Sequence, residues 1–451
     1  MAVLTRVSPR LALAAMLLAS TAAAAMAENA FDTPAAFAGK ISFSGPQRGA
    51  ILAGGPVEIT GEGFQPGQAV VLRRGDALLS EGLKADDKGA FALELTLPQD
   101  AAVGLHPVVV QTDAPDSATV AELKVSPVLP LSGAEGFDVT EAKLPEGVYQ
   151  VAHSAKNGTL FVAAASGRPP EGTSTITKLD AATLKVLAEI TPAADFGAFG
   201  VAVDDANGHI WVSNTRGNSV AVYAQDDLSL VKQFDAGSVE KPRDLVIDAA
   251  RGRVYVSTHR ARIEEFDAKT LEKLDGFALE SDVRGGRFMA MSLALDEKAG
   301  QLYTVSLNTP ELARIDLASR QATVLAVPGA VTASGVDVDP ATGHVFVASQ
   351  GSDDVIGLDA AGKVLFDTPV GAGTLNVRFD AASGRLYVSN RVSDTITVLD
   401  AASGKVLANL DGGSFPNHLS LAPDGTVFAV NKARGKDDAK GNTLRRIAPK
   451  G

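Results

Sequence analysis

A short strand built around one aromatic residue returns seven times between residues 160 and 429, and it constrains the fold more than any other feature. Successive aromatic residues are separated by 50, 44, 48, 43, 41 and 41 positions. That spacing is the length of a four-stranded unit, and repetition at such a period is typical of a β-propeller. The sequence therefore predicts an all-β fold with a seven-bladed β-propeller. The seven aromatic residues are Phe161, Trp211, Tyr255, Tyr303, Phe346, Tyr387 and Phe428.

Aspartate recurs at the turns of every copy, as at Asp204, Asp339 and Asp400. A regular set of carboxylates could be interpreted as calcium ligands or catalytic groups. Aspartate that returns at the same turn of each repeat is, however, explained by its turn-forming hydrogen bonds. We therefore assign these residues to the scaffold and expect no metal site and no cofactor.

The two ends of the repeat are expected to complete each other. The seventh copy stops at residues 443–447, which form its third strand, whereas residues 137–141 precede the first copy and have no blade of their own. Pairing these segments would supply the missing fourth strand and remove two exposed sheet edges. The sequence therefore predicts a ring closed by a strand from the N-terminal side.

Residues 1–27 have the layout of a cleavable export signal. Arg6 and Arg10 precede an apolar run at residues 11–19, and Ala25-Met26-Ala27 follows, so cleavage is expected before Glu28. No other run approaches the roughly 18 apolar residues of a membrane span, and the absence of cysteine excludes a lipoprotein anchor. We expect a monomer in the periplasm or secreted from the cell.

A separate β module is expected at residues 41–127, followed by a linker at 128–136 and the propeller at 137–451. Short alternating stretches at residues 57–64, 69–72, 90–95 and 106–110 are separated by Gly, Pro and Asp turns, which suits a small sandwich. The Gly-Glu-Gly-Phe-Gln-Pro-Gly stretch at 61–67 resembles the Ig-like modules of bacterial exported proteins. The complete expectation is a propeller preceded by an Ig-like β-sandwich.

The propeller repeat resembles a known family. Tyr-Val-Ser-Asn at 387–390 and Trp-Val-Ser-Asn at 211–214 are similar to the repeat box of YVTN-type propellers. Within that group, residues 147–154, 241–245, 415–419 and 431–436 resemble the bacterial periplasmic YncE-like proteins. The likeness extends from about residue 137 to residue 448, and it implies a periplasmic propeller without naming a ligand.

One ring of positions varies in residue type between copies of the repeat. Counting twelve residues back from each of the first six aromatic residues, and taking Asn417 as the equivalent in the shorter last turn, gives positions that differ between copies, and their next neighbours differ as well. Variable positions within a regular scaffold, near the channel mouth, are the best location for a site. The ring comprises Tyr149, Phe199, Arg243, Met291, Ser334, Leu375 and Asn417, followed by Gln150, Gly200, Asp244, Ser292, Gly335, Asn376 and His418.

Loops on the same face add cations to this ring. A cationic rim near Tyr149 and Phe199 could hold an anionic or aromatic ligand, including single-stranded nucleic acid, although the net charge of −12 argues against general attraction to polyanions. The alternative is solvated loop charges paired with Asp353, Asp354, Asp394 or Glu311. The predicted ligand-binding set is Tyr149, Gln150, Arg168, Phe199, Arg216, Arg243, Asp244, Arg260, Arg287, Asn376, Arg391, Asn417, His418 and Lys432.

Two other functions stay open. Some propellers are lactonases with a channel metal, and Asp244, Asn376 and Asn417 could supply oxygen ligands, although only one of them is a carboxylate. No nucleophile elbow, zinc-protease motif or phosphate loop is present, so no catalytic residue is assigned. The remaining alternative is an interaction scaffold that uses the whole rim face to bind a protein of the cell envelope.

Overall fold

A computed structural model describes residues 35–167 and 172–450, so the predicted export signal and Arg168 lie outside the described residues. The described chain is built from β-strands, with two short 3-10 helices at Pro46–Arg48 and Ala134–Gly136. No helix within these residues is long and apolar enough to span a membrane. The chain divides into two compact units: residues 35–47 with 53–125, and residues 48–52 with 126–450.

The first unit contains two antiparallel sheets. Burial alternates along its strands: Val57 and Ile59 are buried, whereas Glu58 and Thr60 are exposed, as expected for strands with one face in a core. One sheet has the order β1-β2-β5, with β1 Lys40–Ser44, β2 Pro56–Glu62 and β5 Phe91–Thr96. The other has the order β4-β3-β6-β7, with β3 Val70–Arg74, β4 Ala77–Leu78, β6 Gly104–Thr112 and β7 Ser117–Val125.

The second unit contains seven four-stranded antiparallel sheets in its described residues, here numbered 1 to 7 in chain order. Sheets 1 to 3 comprise β9 Val148–Ser154, β10 Thr159–Ser166, β11 Thr173–Asp180 and β12 Val186–Ile190; β13 Val201–Asp204, β14 His209–Asn214, β15 Ser219–Ala224 and β16 Leu230–Gln233; β17 Pro242–Asp248, β18 Arg253–Thr258, β19 Arg262–Asp267 and β20 Lys273–Ala278.

Sheets 4 to 6 continue the same order of strands, and sheet 7 takes its fourth strand from β8 Phe137–Lys143. Their strands are β21 Ala290–Asp296, β22 Gln301–Ser306, β23 Glu311–Asp316 and β24 Gln321–Ala326; β25 Ala333–Val338, β26 Val345–Ser349, β27 Asp354–Leu358 and β28 Val364–Pro369; β29 Thr374–Asp380, β30 Arg385–Asn390, β31 Thr395–Asp400 and β32 Val406–Asp411; β33 Pro416–Leu421, β34 Val427–Asn431 and β35 Thr443–Pro449.

The first strands of neighbouring sheets lie against each other in a closed cycle. Each of β9, β13, β17, β21, β25, β29 and β33 contacts the next, and β33 returns to β9. The repeated aromatic residues are buried between successive sheets; Trp211 of sheet 2, for example, packs in one cluster with Leu245 and Phe266 of sheet 3. The aromatic strands that define the repeat are therefore the layer on which neighbouring sheets pack.

Strand β8 completes the last sheet, as the ends of the repeat predict. It pairs with β35 from Phe137 opposite Pro449 to Lys143 opposite Thr443. Phe137 is buried, and its ring centroid lies 6.4 Å from that of Tyr387 in the neighbouring sheet 6. The two ends of the unit are thus joined by a full strand ladder and an aromatic contact.

Deletion of residues 137–141 tests this closure. We expect the melting temperature to fall by about 10 °C or more, because the change exposes the edge of β35 and removes a buried aromatic side chain. Differential scanning calorimetry measures the effect. The control is a chain that begins at Ser126, which keeps every strand of sheets 1 to 7 and should retain most of the stability. An unchanged melting temperature after the short deletion would contradict the closure.

Two carboxyl groups meet on neighbouring strands of sheet 5. Burial, followed by the charge of Asp367, raises the pKa of Asp354 to about 7. Burial also raises the pKa of Asp367. Asp354 accepts a hydrogen bond from the Ser352 hydroxyl at 2.8 Å, which favours its ionised form but does not outweigh the burial. The pair therefore holds a proton under conditions in which an unfolded chain has lost it.

This pair predicts that its own contribution to the free energy of unfolding decreases as the pH rises from about 5 to about 7. At these two carboxyl groups the folded protein binds more protons than the unfolded chain in that window, whereas His259 and His418, whose pKa values are lowered, contribute in the opposite direction. Asp354→Asn should remove the contribution of the pair, because the amide cannot ionise, so the difference between the two proteins should change with pH. Chemical denaturation at pH 5, 6 and 7 measures both proteins. Parallel profiles for the variant and the natural protein would contradict a shared proton at this position.

Candidate functional site

A β-bulge occurs near the beginning of the first strand in six of the seven sheets. In sheet 1, Ala163 pairs with Gln150 and Ala164 pairs with Val148, so Tyr149 is the additional residue. An additional residue bends the strand and redirects its side chain. The bulges coincide with the ring counted back from the aromatic residues, and the other five fall at Arg243–Asp244, Met291–Ser292, Ser334, Leu375 and Asn417.

The second residue of four predicted pairs connects one sheet to the next through its side chain. Gln150 Oε1 accepts a hydrogen bond from the Val201 amide of sheet 2 at 3.0 Å, and Gln150 Nε2 donates to Asp244 Oδ1 at 3.0 Å. Asp244 Oδ2 accepts from the Leu293 amide of sheet 4 at 2.9 Å. Both oxygens of this buried carboxylate are therefore used inside the ring.

Sheets 6, 7 and 1 are connected in the same way. Asn376 Oδ1 accepts from the Leu419 amide at 3.1 Å, and the His418 Nδ1 atom lies 3.5 Å from the Val151 amide. Asn417 donates to the Tyr149 carbonyl at 2.6 Å. Burial, followed by the charges of two arginines, lowers the pKa of His418 well below its ordinary value, which keeps the His418 imidazole neutral.

Glycine takes this position where the next backbone is closest. A Cβ atom on Gly200 would lie 2.3 Å from the Arg243 carbonyl oxygen, and one on Gly335 would lie 2.9 Å from the Asn376 Cα atom. These approaches leave no room for a side chain. Gln150, Asp244, Asn376, Asn417 and His418 thus have defined contacts between sheets in addition to their predicted place in a ligand site.

The other predicted residues gather around Tyr149. Arg243 Nη1 donates to the Tyr149 hydroxyl at 3.2 Å, and Lys432 Nζ lies 4.1 Å from the centre of the Tyr149 ring. Phe199 packs edge-on against Tyr149, with 5.2 Å between ring centroids, and the Arg216 guanidinium lies 5.0 Å from the Phe199 centroid. One aromatic pair therefore carries three cations that come from sheets 2, 3 and 7.

A second aromatic ring holds further cations. The guanidinium of Arg391 lies 5.3 Å from the Phe415 centroid, and that of Arg434 lies 4.2 Å from it. Arg434 also forms an ion pair with Asp394. We use the name cationic cluster for Arg216, Arg243, Arg391 and Lys432.

Strand geometry explains why the cluster forms. Tyr149 and Arg243 are at the beginnings of first strands, whereas Arg391 and Lys432 directly follow the second strands β30 and β34. Because first and second strands are antiparallel, these positions share one end of their sheets. A cyclic arrangement of sheets brings that end of each sheet to the same channel mouth.

Burial and mutual repulsion disfavour the positive charges of the cluster. Burial, followed by the charges of Arg391, Arg216 and Arg243, lowers the pKa of Lys432 to about 7. Burial and the charge of Arg243 lower the pKa of Arg391, although Tyr149 opposes that effect. Like charges held together in partly buried positions repel one another and favour loss of a proton.

The four members of the cluster have no ion-pair partner in the described part of the chain. Among residues 35–167 and 172–450, no aspartate or glutamate forms an ion pair with any of them. Within the same residues, the buried Nε atom of Arg243 has no hydrogen-bond partner. The predicted pairing of rim cations with carboxylates therefore does not occur at these four residues within the described ranges.

The remaining predicted cations are arranged differently. Arg260 is exposed and forms an ion pair with Glu240, with 2.6 Å between Nε and Oε1. Arg287 is exposed and lines a cavity of about 570 Å³ with Arg260 and His259. Arg168 lies outside the described residues. Arg260 and Arg287 thus differ from the group around Tyr149, because Arg260 has a carboxylate partner and both line another cavity.

His259 is a cluster neighbour that the sequence reasoning missed. Its Nε2 atom lies 3.5 Å from Arg243 Nη1. Burial, followed by the charge of Arg243, lowers the pKa of His259 to about 4, so the ring is neutral at pH 7. His259 stands four residues after the aromatic Tyr255, as Arg391 follows Tyr387 and Lys432 follows Phe428. That common spacing is the signal that could have identified it.

Oxygen ligands for a channel metal do not converge in the described part of the chain. No group of three or more His, Asp or Glu side chains placed to hold a metal ion occurs there. Asp244 Oδ1 accepts a hydrogen bond from the Gln150 side chain, and Asp244 Oδ2 and Asn376 Oδ1 accept from backbone amides of the next sheets. The side chains that meet around Tyr149 are cationic and aromatic.

Solved structures identify the fold of the second unit. Similar structures are U3-55K and the RRP9 WD40 repeats, each with a TM-score of 0.58, 11% identity and coverage of 69% of this chain and 98% of that chain. Kuenenia stuttgartiensis hydrazine synthase has a TM-score of 0.54 and 18% identity over 65% of this chain and 94% of that chain. The WD40 fold is a β-propeller, so the prediction of a propeller is confirmed.

Curated bacterial proteins give the family. No protein-family model matches the sequence. The uncharacterized protein YncE of Escherichia coli O157:H7 is 30% identical over 300 residues, which cover 63% of this chain and 82% of that protein. Its counterpart in Salmonella typhimurium strain LT2 is 25% identical over 310 residues, which cover 65% and 85% respectively. The chain therefore belongs to the YncE family of β-propeller proteins.

Proposed function

We propose that this protein is an exported, non-catalytic binding protein that holds an anionic ligand at the channel mouth of a seven-bladed propeller. In this proposal residues 1–27 direct export and are removed before Glu28. Residues 41–127 form an Ig-like module, residues 128–136 a linker, and sheets 1 to 7 the seven blades. The observation that carries the proposal is the cationic cluster around Tyr149, which has no carboxylate partner among the described residues.

The cost of holding these cations together supports binding. Burial, followed by the charges of Arg391, Arg216 and Arg243, lowers the pKa of Lys432, because the folded protein disfavours a charge at this position. An anion held by the three arginines would offset the repulsion among their charges. In a protein with a formal net charge of −12, such a concentration of positive charge also guides anions to one place.

Aromatic rings extend the range of ligands that would fit. Tyr149, Phe199 and Phe415 lie within contact distance of the cations; Phe199 is buried, whereas Tyr149 and Phe415 are partly exposed and could stack on a planar part of the ligand. A phosphate or carboxylate attached to a flat group matches this combination. Single-stranded nucleic acid is one member of that class, and small phosphorylated or carboxylated compounds are others.

The other two functions have less support. A lactonase-like hydrolase would need free oxygen ligands, and those of Asp244 are engaged in hydrogen bonds between sheets. An envelope-protein scaffold would use the rim face broadly, but Arg260 is already paired with Glu240. The localised cluster favours a ligand that is bound at one point.

Fluorescence anisotropy with a labelled oligothymidylate tests binding of a polymeric anion. We expect affinity to fall as salt rises, with a log–log slope of about −0.7 for each neutralised phosphate. Replacing Arg243 and Arg391 together by methionine should make the slope shallower, since two phosphate contacts are lost. The control is Lys298→Met. Lys298 is exposed and lies in the turn between β21 and β22 of sheet 4, so this change should leave the slope unchanged.

Calorimetric titration with inorganic phosphate separates a small anion from a polymer. Binding of phosphate without binding of the oligonucleotide would favour a small ligand at the same cluster. The doubly substituted protein must also unfold at about the temperature of the natural protein, because removing unpaired cations costs little stability. Absence of both kinds of binding at low salt would remove the anion-binding proposal and favour a protein scaffold.

Export is tested by mass spectrometry of the protein from a periplasmic extract. A mature N terminus at Glu28 is expected, because Ala25-Met26-Ala27 is a small-residue cleavage site after an apolar run. The matched control replaces Ala25 and Ala27 by large residues, which should leave the precursor uncleaved. An intact N terminus on periplasmic protein would contradict the proposed processing.

A further inference from the structure

We propose that Lys432 is a reactive amine that forms a reversible imine with small aldehydes or ketones carrying a phosphate or carboxylate. This inference rests on the proposed anion-binding function and deepens it by naming a class of ligand. It also gives Lys432 a role as a nucleophile, in addition to the positive charge that it contributes to the cationic cluster.

The first argument is the position of the amine. Lys432 Nζ lies over the Tyr149 ring, and within residues 35–167 and 172–450 it has neither a hydrogen-bond acceptor nor a carboxylate partner. A lysine amine in an ion pair is protonated and shielded, and it cannot attack a carbonyl group. Lys432 lacks that restraint in the described structure, and its stem is partly buried, which limits the positions that the amine can take.

The second argument is the protonation state. The neighbouring charges of Arg391, Arg216 and Arg243, together with burial, bring the pKa of Lys432 to about 7. At pH 7 roughly half of the molecules then carry the neutral amine, against about one in several thousand for an ordinary lysine. A lysine flanked by other cations is a known way to obtain a nucleophile that is active near neutral pH.

The third argument is access with charge recognition. Lys432 and Arg216 line one cavity of about 370 Å³, which is within the size range of small-molecule sites. Arg216 is exposed, so its guanidinium is available to an anionic group in this cavity. The cavity also contains Glu146, which would disfavour a ligand that carries negative charge at that side. A compound with its anion toward Arg216 and its carbonyl toward Lys432 satisfies both groups.

The chemistry balances without any other reagent. The nitrogen lone pair attacks the carbonyl carbon, and proton transfer from nitrogen to oxygen gives a carbinolamine. The carbon–oxygen bond then breaks, and the oxygen leaves with both amine hydrogens as one water molecule, which leaves a carbon–nitrogen double bond. Nothing is oxidised or reduced, and addition of water reverses the reaction.

Trapping with pyridoxal 5′-phosphate and sodium borohydride tests the proposal on the full-length exported protein. Borohydride reduces an imine to a stable secondary amine, and peptide mass spectrometry then locates the modified lysine. At pH 7 we expect labelling of Lys432 to be about tenfold or more faster than labelling of an exposed lysine such as Lys298. Pyridoxal without the phosphate should lose most of this preference, because it lacks the group that the arginines would bind.

The pH profile separates a reactive amine from a merely accessible one. Labelling of Lys432 should be half-maximal near pH 7, and Arg391→Gln should move that midpoint upward because a repelling charge is removed. Lys432→Arg keeps a cation at this position and should abolish labelling there, because a guanidinium group does not form an imine. Labelling spread over lysines according to their exposure, or an Arg391→Gln profile identical to that of the natural protein, would overturn the proposal.

The two proposals fail in distinguishable ways. If calorimetry detects phosphate binding but trapping does not favour Lys432, the imine proposal is wrong and the anion site stands. If neither phosphate binding nor preferential trapping occurs, both proposals are wrong. Preferential trapping by both pyridoxal and its phosphate would contradict recognition of the anion, and therefore the class of ligand proposed here.

Discussion

Hydrogen bonds between the first strands of neighbouring sheets are the constraint on which the structure depends. These strands bring backbone amides into a buried cycle, where an unpaired amide would be costly. Gln150, Asp244 and Asn376 each reach from one sheet to an amide of the next. Where Gly200 and Gly335 occupy the same position, the backbones approach too closely for any side chain. The cycle thus fixes the distance between sheets, and the contact of β33 with β9 closes it.

The same strands create the site. A bulge places Tyr149 one residue out of register with β10, while Gln150 continues the bonds between sheets. A residue of the candidate site, Tyr149, is therefore followed directly by a residue that connects two sheets, Gln150. Arg243 and Asp244 repeat this division in sheet 3, where Arg243 reaches Tyr149 and Asp244 binds the next sheet. The first residue of each of these two pairs can therefore change its side chain while the second keeps the hydrogen bonds that connect the sheets.

The cationic cluster shows why function and stability conflict here. Holding Lys432 beside Arg391 and Arg243 raises the free energy of the unliganded protein, and the lowered pKa of Lys432 is the sign of that cost. A ligand with negative charge recovers it on binding. In contrast, Arg434 is satisfied by Asp394, and Arg260 by Glu240, so these residues contribute ordinary surface ion pairs.

The sequence by itself determined the repeat, the strand that closes the last sheet, and the positions that leave the regular pattern. These follow from local rules, because aromatic spacing, turn residues and chain order specify strands and their sequence. The choice of which cations stay unpaired was decided only by the tertiary structure. Arg260 meets Glu240, whereas Arg243 meets Tyr149, 94 positions away in the chain, because the ring brings distant strands together. No local pattern encodes that difference, since pairing and burial depend on the distances between sheets.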